Sequence, residues 1–147
     1  MRVLGIDLGS KRIGVAVSNT ERTVATPYSV INRALNKSKD HQAIKLLAEE
    51  WESELLIVGL PLSLDGSLGP AAKNALDEIQ LLKANTGLKV ESIDERYSTT
   101  SAKQALQVQG ISEKEQKMLV DQVAASIILQ TWLDKQMNAF QSVERVE

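Results

Sequence analysis

Apolar residues arrive in short unbroken runs near the start of this chain and in spaced rows later on. Arg2 to Leu8 reads as a buried strand and Ile13 to Ser18 as its hairpin partner, with a tight Gly/Ser turn between them. Thr23 to Asn32 is rich in β-branched residues and reads as a third strand, with Pro27 marking an edge or a bulge. Ser38 has the chemistry of an N-cap for a helix running to about Glu52, which sets Ile44, Leu47, Ala48 and Trp51 on one face. Leu55 to Leu60 is a short, fully apolar strand, and Pro61 to Gly69 a loop. Pro70 opens a helix at its first position, running to about Asn85. Leu88 to Ile93 reads as another strand. Ser98 to Val108 reads as a short helix stopped by Gly110. Ser112 and Glu115 form a capping-box pattern for a last helix running to about Lys135.

The order β-β-β-α-β-α-β-α-α predicts an α/β fold: a mixed five-stranded sheet with helices on both faces. Its first and last strands are both expected near the centre. Residues 1–138 read as a single domain, and residues 139–147 as a flexible tail.

Composition narrows the class. With 43% apolar residues among 147, there is enough for a sizeable core. Cysteine is absent, which removes disulfides and thiolate metal sites and fits a reducing compartment. No apolar run approaches the ~20 residues of a membrane span, and no signal-peptide pattern precedes the first strand. The expectation is a cytoplasmic protein with no membrane partner. The single histidine, His41, lies in a charged stretch and reads as a surface residue, so a His-rich metal site is excluded. A net charge of −2 argues against a non-specific nucleic-acid coat. It leaves room for a nuclease, because a metal-loaded carboxylate cluster changes its own local charge.

Candidate chemistry begins at Asp7-Leu8-Gly9-Ser10-Lys11-Arg12-Ile13. An acid sits in the first strand, and two phosphate-seeking cations follow in the turn. A charge inside a strand is costly unless it is paired or holds a metal. The plainer alternative is a turn-capping Asp and a solvated hairpin tip. Asp94 and Glu95 follow another strand. Asp121 heads a row with Ala125, Ile128 and Trp132, the core-facing spacing of a helix. It therefore either pairs with a base, Arg96 or Lys117, or helps to hold a cation. Asp7, Glu95 and Asp121 together would offer oxygen-only ligation suited to Mg²⁺ or Mn²⁺. Arg96, with Ser98 and Thr99 at a helix start, suits a phosphate surface, though plain capping explains the hydroxyls too.

Four blocks carry a resemblance, in order and across nearly the whole chain. They are Asp7 to Ser18, Val58-Gly59-Leu60-Pro61 with Asp65-Gly66, Asp94-Glu95-Arg96-Tyr97-Ser98-Thr99, and Asp121-Gln122-Val123-Ala124-Ala125 with Ile128-Leu129-Gln130. Together they resemble the YqgF/RuvX family of RNase H-like nucleases, relatives of Holliday-junction resolvases. The resemblance implies an RNase H-like fold and a metal-dependent endonuclease maturing the 5′ end of pre-16S rRNA. Resolution of branched DNA is the other activity it implies. It puts catalytic and metal-binding roles on Asp7, Glu95 and Asp121, with Asp94 just outside the ligand set. Lys11, Arg12, Arg96, Ser98 and Thr99 are the expected substrate contacts. Asn19 departs from the Asp often found after Val17-Ser18.

Two other classes compete. An actin-like or sugar-kinase-like phosphotransferase also opens with Asp-x-Gly before a hairpin, but it needs two lobes to clamp ATP. A non-catalytic nucleic-acid or partner-binding domain could keep the fold without the chemistry. The chain is expected to act as a monomer or homodimer.

Overall fold

The computed structural model describes residues 1–61, 68–94 and 123–137. Three strands come first: β1 (Leu4–Leu8), β2 (Arg12–Ser18) and β3 (Ala25–Asn32). Helix α1 (Lys37–Glu50), β4 (Leu55–Leu60), α2 (Pro70–Thr86) and β5 (Lys89–Asp94) follow. Residues 123–137 are helical. The sheet runs in the order β3-β2-β1-β4-β5. The meander β1-β2-β3 is antiparallel, whereas β4 lies parallel to β1 and β5 parallel to β4. This is the mixed sheet that the element order predicts.

β1 is central, as expected, but β5 is an edge of this sheet. Each strand–helix–strand connection adds its new strand one place further out: α1 delivers β4 beside β1, and α2 delivers β5 beside β4. The expectation of a central last strand is therefore corrected.

Alternation along the strands sends side chains to two separate cores. Leu4, Ile6, Ile13, Val15, Leu56, Val58 and Val90 face α1 and α2, where Ile44, Ala48, Ile79 and Leu82 meet them. Val3, Ala16, Ile57 and Ile93 face the opposite way, onto Ala125, Ile128, Leu129 and Leu133. Helices thus cover both faces. At Gly5 the second layer comes very close. A Cβ there would stand 2.6 Å from the Leu129 Cβ and 2.8 Å from the Ala125 carbonyl oxygen. Only glycine lets the helix sit that near the sheet.

Element ends differ slightly from expectation. The N-cap of α1 is Asn36, whose side chain accepts from the Lys39 amide at 3.1 Å, so Ser38 lies inside the helix. β3 starts at Ala25 because the Asn19 carboxamide oxygen takes the Thr23 and Val24 amides, at 2.8 and 3.0 Å. Asn19 also donates to Thr23 Oγ1 at 2.8 Å. It closes the β2–β3 loop, at the opposite end of β2 from the pairing partner of Asp7. Pro27 sits on an edge strand where the β2–β3 register shifts between Val15 and Ala16. Pro70 occupies the first turn of α2, and Gly87, with φ of 70°, ends that helix in the left-handed conformation. The helix expected over Ser98 to Val108, the start of the last helix, most of the Pro61 to Gly69 loop and the tail lie outside the described residues.

Candidate active site

Asp7 lies near the C-terminal end of the central strand and is half-buried. Its register partner on β2 is Gly14. On the other side the β1–β4 pairing runs to Ile6 and Val58, so the next residue of β4 is Gly59. Neither neighbouring strand therefore sets a side chain directly beside the carboxylate. By alternation, Asp7 shares its face with Val3 and Gly5, the face covered by the helical residues 123–137. Arg12 alternates with Ile13 and so falls on that face too, diagonally across from Asp7.

The turn after Asp7 is tight. The Gly9 amide donates to the Asp7 carbonyl at 3.0 Å. A Cβ on Gly9 would lie 2.5 Å from the Arg12 carbonyl oxygen, so the turn closes only around a glycine. Ser10 and Lys11 stand exposed at its tip.

Behind the turn, on the α1/α2 side, is a polar network built on the buried Asp40, His41 and Glu78. The Arg33 backbone amide donates to the Lys11 carbonyl at 3.0 Å, and its Nε donates to the Gly9 carbonyl at 2.7 Å. Its two terminal nitrogens grip Glu78 of α2, both at 2.9 Å, and one also reaches Asp40 of α1 at 3.3 Å. Asp40 in turn accepts from the Ala34 amide at 2.8 Å. His41 is fully buried and bonds through Nε2 to Glu78 at 2.9 Å. Asn85 Nδ2 meets its Nδ1 at 2.8 Å. The surface expectation for His41 is thus overturned: three residues before Ile44 and seven before Ala48, it sits on the inner face of α1.

Charge inside this network is balanced by geometry. Burial works against ionisation of Glu78, but hydrogen bonds from Arg33 and His41, with the Arg33 charge, outweigh it and hold the carboxyl below the ordinary range. Burial likewise disfavours the Arg33 cation, and Glu78 and Asp40 more than restore it, pushing its pKa up.

Of the sequence-predicted site residues, Asp7, Lys11 and Arg12 are brought together around one turn. Asp94 ends β5 with Val90 and Ser92 on its side, the face opposite to Asp7. Glu95, Arg96, Ser98, Thr99 and Asp121 lie outside the described residues. Among the described residues, no three acidic or histidine side chains come together to hold a metal ion.

Sequence reasoning missed Arg33, Asp40, Glu78, His41 and Asn85. A signal was available. Asp40 stands four and eight residues before the buried Ile44 and Ala48, and Glu78 four before Leu82. That spacing singled out Asp121, and it marks these two acids equally.

The chain matches the RuvX family, described as Holliday junction resolvase, over residues 1–135. A protein of Natranaerobius thermophilus is 40% identical over 138 residues, 94% of this chain and 97% of its own. One of Anaeromyxobacter sp. (strain Fw109-5) is 43% identical over 134 residues, covering 91% and 97%. Both carry the name "Putative pre-16S rRNA nuclease". Among solved structures, T. thermophilus RuvC in complex with a Holliday junction substrate superposes with a TM-score of 0.58. It is 16% identical and covers 94% of this chain and 96% of that one, a likeness of fold. The five-stranded mixed sheet is thus of the RNase H-like type seen in RuvC, and the near full-length match shows that the chain belongs to the RuvX (YqgF) family.

Proposed function

We propose that this protein is a divalent-metal-dependent endonuclease that cleaves phosphodiester bonds in the 5′-end maturation of pre-16S rRNA, in the cytoplasm. The observation that carries the reading is Asp7: a half-buried carboxylate on the central strand, with glycine at its β2 partner and at the adjacent position of β4. A carboxylate so placed is a hard, negatively charged oxygen donor on the face of the central strand. The relatives named for pre-16S rRNA supply the substrate class.

Asp7, Glu95 and Asp121 would hold Mg²⁺ or Mn²⁺, since their donors are all hard oxygens. Two regularities support including the last two. Glu95 follows Asp94 directly in the family block Asp94-Glu95-Arg96. Asp121 stands four residues before Ala125 in the sequence, the spacing of a core-facing helical row. When bound, such a cation supplies an activated water and charge stabilisation for the leaving oxygen. The chain's own part is positional. Lys11 and Arg12 hold the substrate phosphates beside Asp7, and Arg96, Ser98 and Thr99 extend that grip along the backbone. Asp94, expected just outside the ligand set, faces the other side of the sheet from Asp7 and has no part in this reading.

The family description favours a second reading, resolution of branched DNA. One experiment separates the two: cleavage of precursor 16S rRNA and of a four-way DNA junction, side by side, with Mg²⁺, with Mn²⁺ and with EDTA. The expected result is metal-dependent cutting of the rRNA precursor. Junction cutting without RNA cutting selects the second reading. No cutting of either overturns both and leaves a binding domain.

A further inference from the structure

The polar network around Arg33 has one outlet among the described residues. Its members come from the end of β3 and from α1 and α2, and they bond chiefly to one another. Arg33 reaches outside, and it does so twice onto the same turn: through its amide to Lys11 and through Nε to Gly9. That turn carries Asp7 at its start and Lys11 and Arg12 at its end.

We propose that Arg33 is a positioning residue for the candidate nuclease centre, clamping the Gly9 carbonyl so that Asp7, Lys11 and Arg12 are presented to the substrate phosphate in one fixed arrangement. This rests on the nuclease reading above. The chemistry suits arginine specifically. A guanidinium is a planar fork whose two terminal nitrogens can grip one carboxylate while Nε points elsewhere. Here both terminal nitrogens bind Glu78, and Nε is left for the turn. Asp40 and Glu78, at 2% and 6% exposure, are rigid anchors set in two helices, so the fork cannot swing. A lysine could keep the ion pair with Glu78, but its single ammonium would have to choose between α2 and Gly9. The turn itself is short. It is two residues of exposed tip between β1 and β2, closed by the Gly9–Asp7 bond and by the Leu8–Ile13 pair.

The test compares Arg33→Lys with Ile44→Val, a core change in α1 that loosens the same layer without touching the network. Both should fold and melt somewhat below wild type. In Arg33→Lys, amide exchange at Gly9 to Arg12 should quicken by about tenfold or more. Its kcat should fall about 10- to 100-fold, the scale of a 1 Å misplacement. KM should stay within about threefold, because the cations keep their tether. Ile44→Val should leave turn exchange and kcat within about twofold of wild type. Glu78→Gln, which keeps the shape but removes the anchoring charge, should fall between the two. Wild-type exchange and kcat in Arg33→Lys overturn the proposal. So does an equal loss in Ile44→Val, since the effect would then track stability. If the wild type cuts no substrate, the nuclease reading falls. The exchange comparison still decides whether Arg33 holds the turn.

Discussion

Replacing Gly5 with alanine should lower stability and disturb the candidate site together. A Cβ at that position meets the Leu129 Cβ at 2.6 Å and the Ala125 carbonyl oxygen at 2.8 Å. Carbon atoms in contact normally stand about 3.5–4.0 Å apart, so the helix must back away by roughly 1 Å. Neither contacted atom lies at the end of a flexible side chain, so no rotamer change can relieve the clash. Overpacking of this kind costs about 1–3 kcal/mol, and the rigid partners put this case in the upper half. The stiffer unfolded chain offsets about 0.5 kcal/mol. A net loss of about 2 kcal/mol corresponds to a fall of roughly 6 °C in Tm for a domain of this size. Thermal unfolding followed by circular dichroism reads it directly. Under the proposed mechanism the same displacement disturbs the face of β1 that carries Asp7, so cleavage should fall by up to about 100-fold. A Tm at or above the wild-type value would refute the reasoning, because it would mean the helix is not seated on Gly5.

Three further outcomes are expected. Asp7→Asn should lose at least about 100-fold in cleavage rate while keeping its circular dichroism spectrum and its substrate affinity, because an amide preserves shape but not the charge that attracts a cation; wild-type rates would remove Asp7 from the mechanism. Lys11→Ala with Arg12→Ala should weaken substrate binding and reduce the slope of log affinity against log salt by about 1 for each phosphate no longer neutralised; an unchanged slope would make the pair a solvated hairpin tip. Glu78 has its carboxyl held below the ordinary value of 4.5, so its contribution to stability is complete above that pH and lost as pH falls through its lower folded-state value. Urea unfolding of Glu78→Gln should therefore be less stable than wild type at pH 7, and the gap should close on acidification; a gap that stays constant into strong acid would contradict the Arg33–Glu78 pairing.

Much of the fold was legible because it rests on local chemistry. β4 matches the apolar run Leu55 to Leu60 at both ends, and α2 begins at the proline whose missing N–H suits a first turn. Pro27 marked both the edge and the register shift. Asp7, Lys11 and Arg12 were legible as a group because one hairpin joins them in sequence. Less local features were harder to read. Strand order depends on where each crossover lands, so β5 was expected too near the centre. The placement of His41 depends on Glu78 and Asn85, 37 and 44 residues away, and a charged local sequence hides such a partner. The competition between Ser38 and Asn36 for the cap is local, but the polar run Asn36 to Gln42 offers several candidates with similar chemistry. Gly5 carried no motif at all. Its role comes from a helix that packs across it from the far end of the chain.

That last contact sets an order of events during synthesis. The apolar patch formed by Val3, Ala16, Ile57 and Ile93 is matched, among the described residues, by Ala125, Ile128, Leu129 and Leu133. A ribosome delivers the covering helix about 120 residues after Gly5, a delay of roughly 6–24 s at ordinary elongation rates. From the completion of β5 at Asp94 until that helix arrives, the nascent chain carries one finished layer and one bare, sticky sheet face. A protein of this design is a natural client for chaperones waiting at the exit tunnel. Chains stalled with residue 122 as their last should bind an apolar dye that the full chain ignores; equal dye binding by both would show the face already covered.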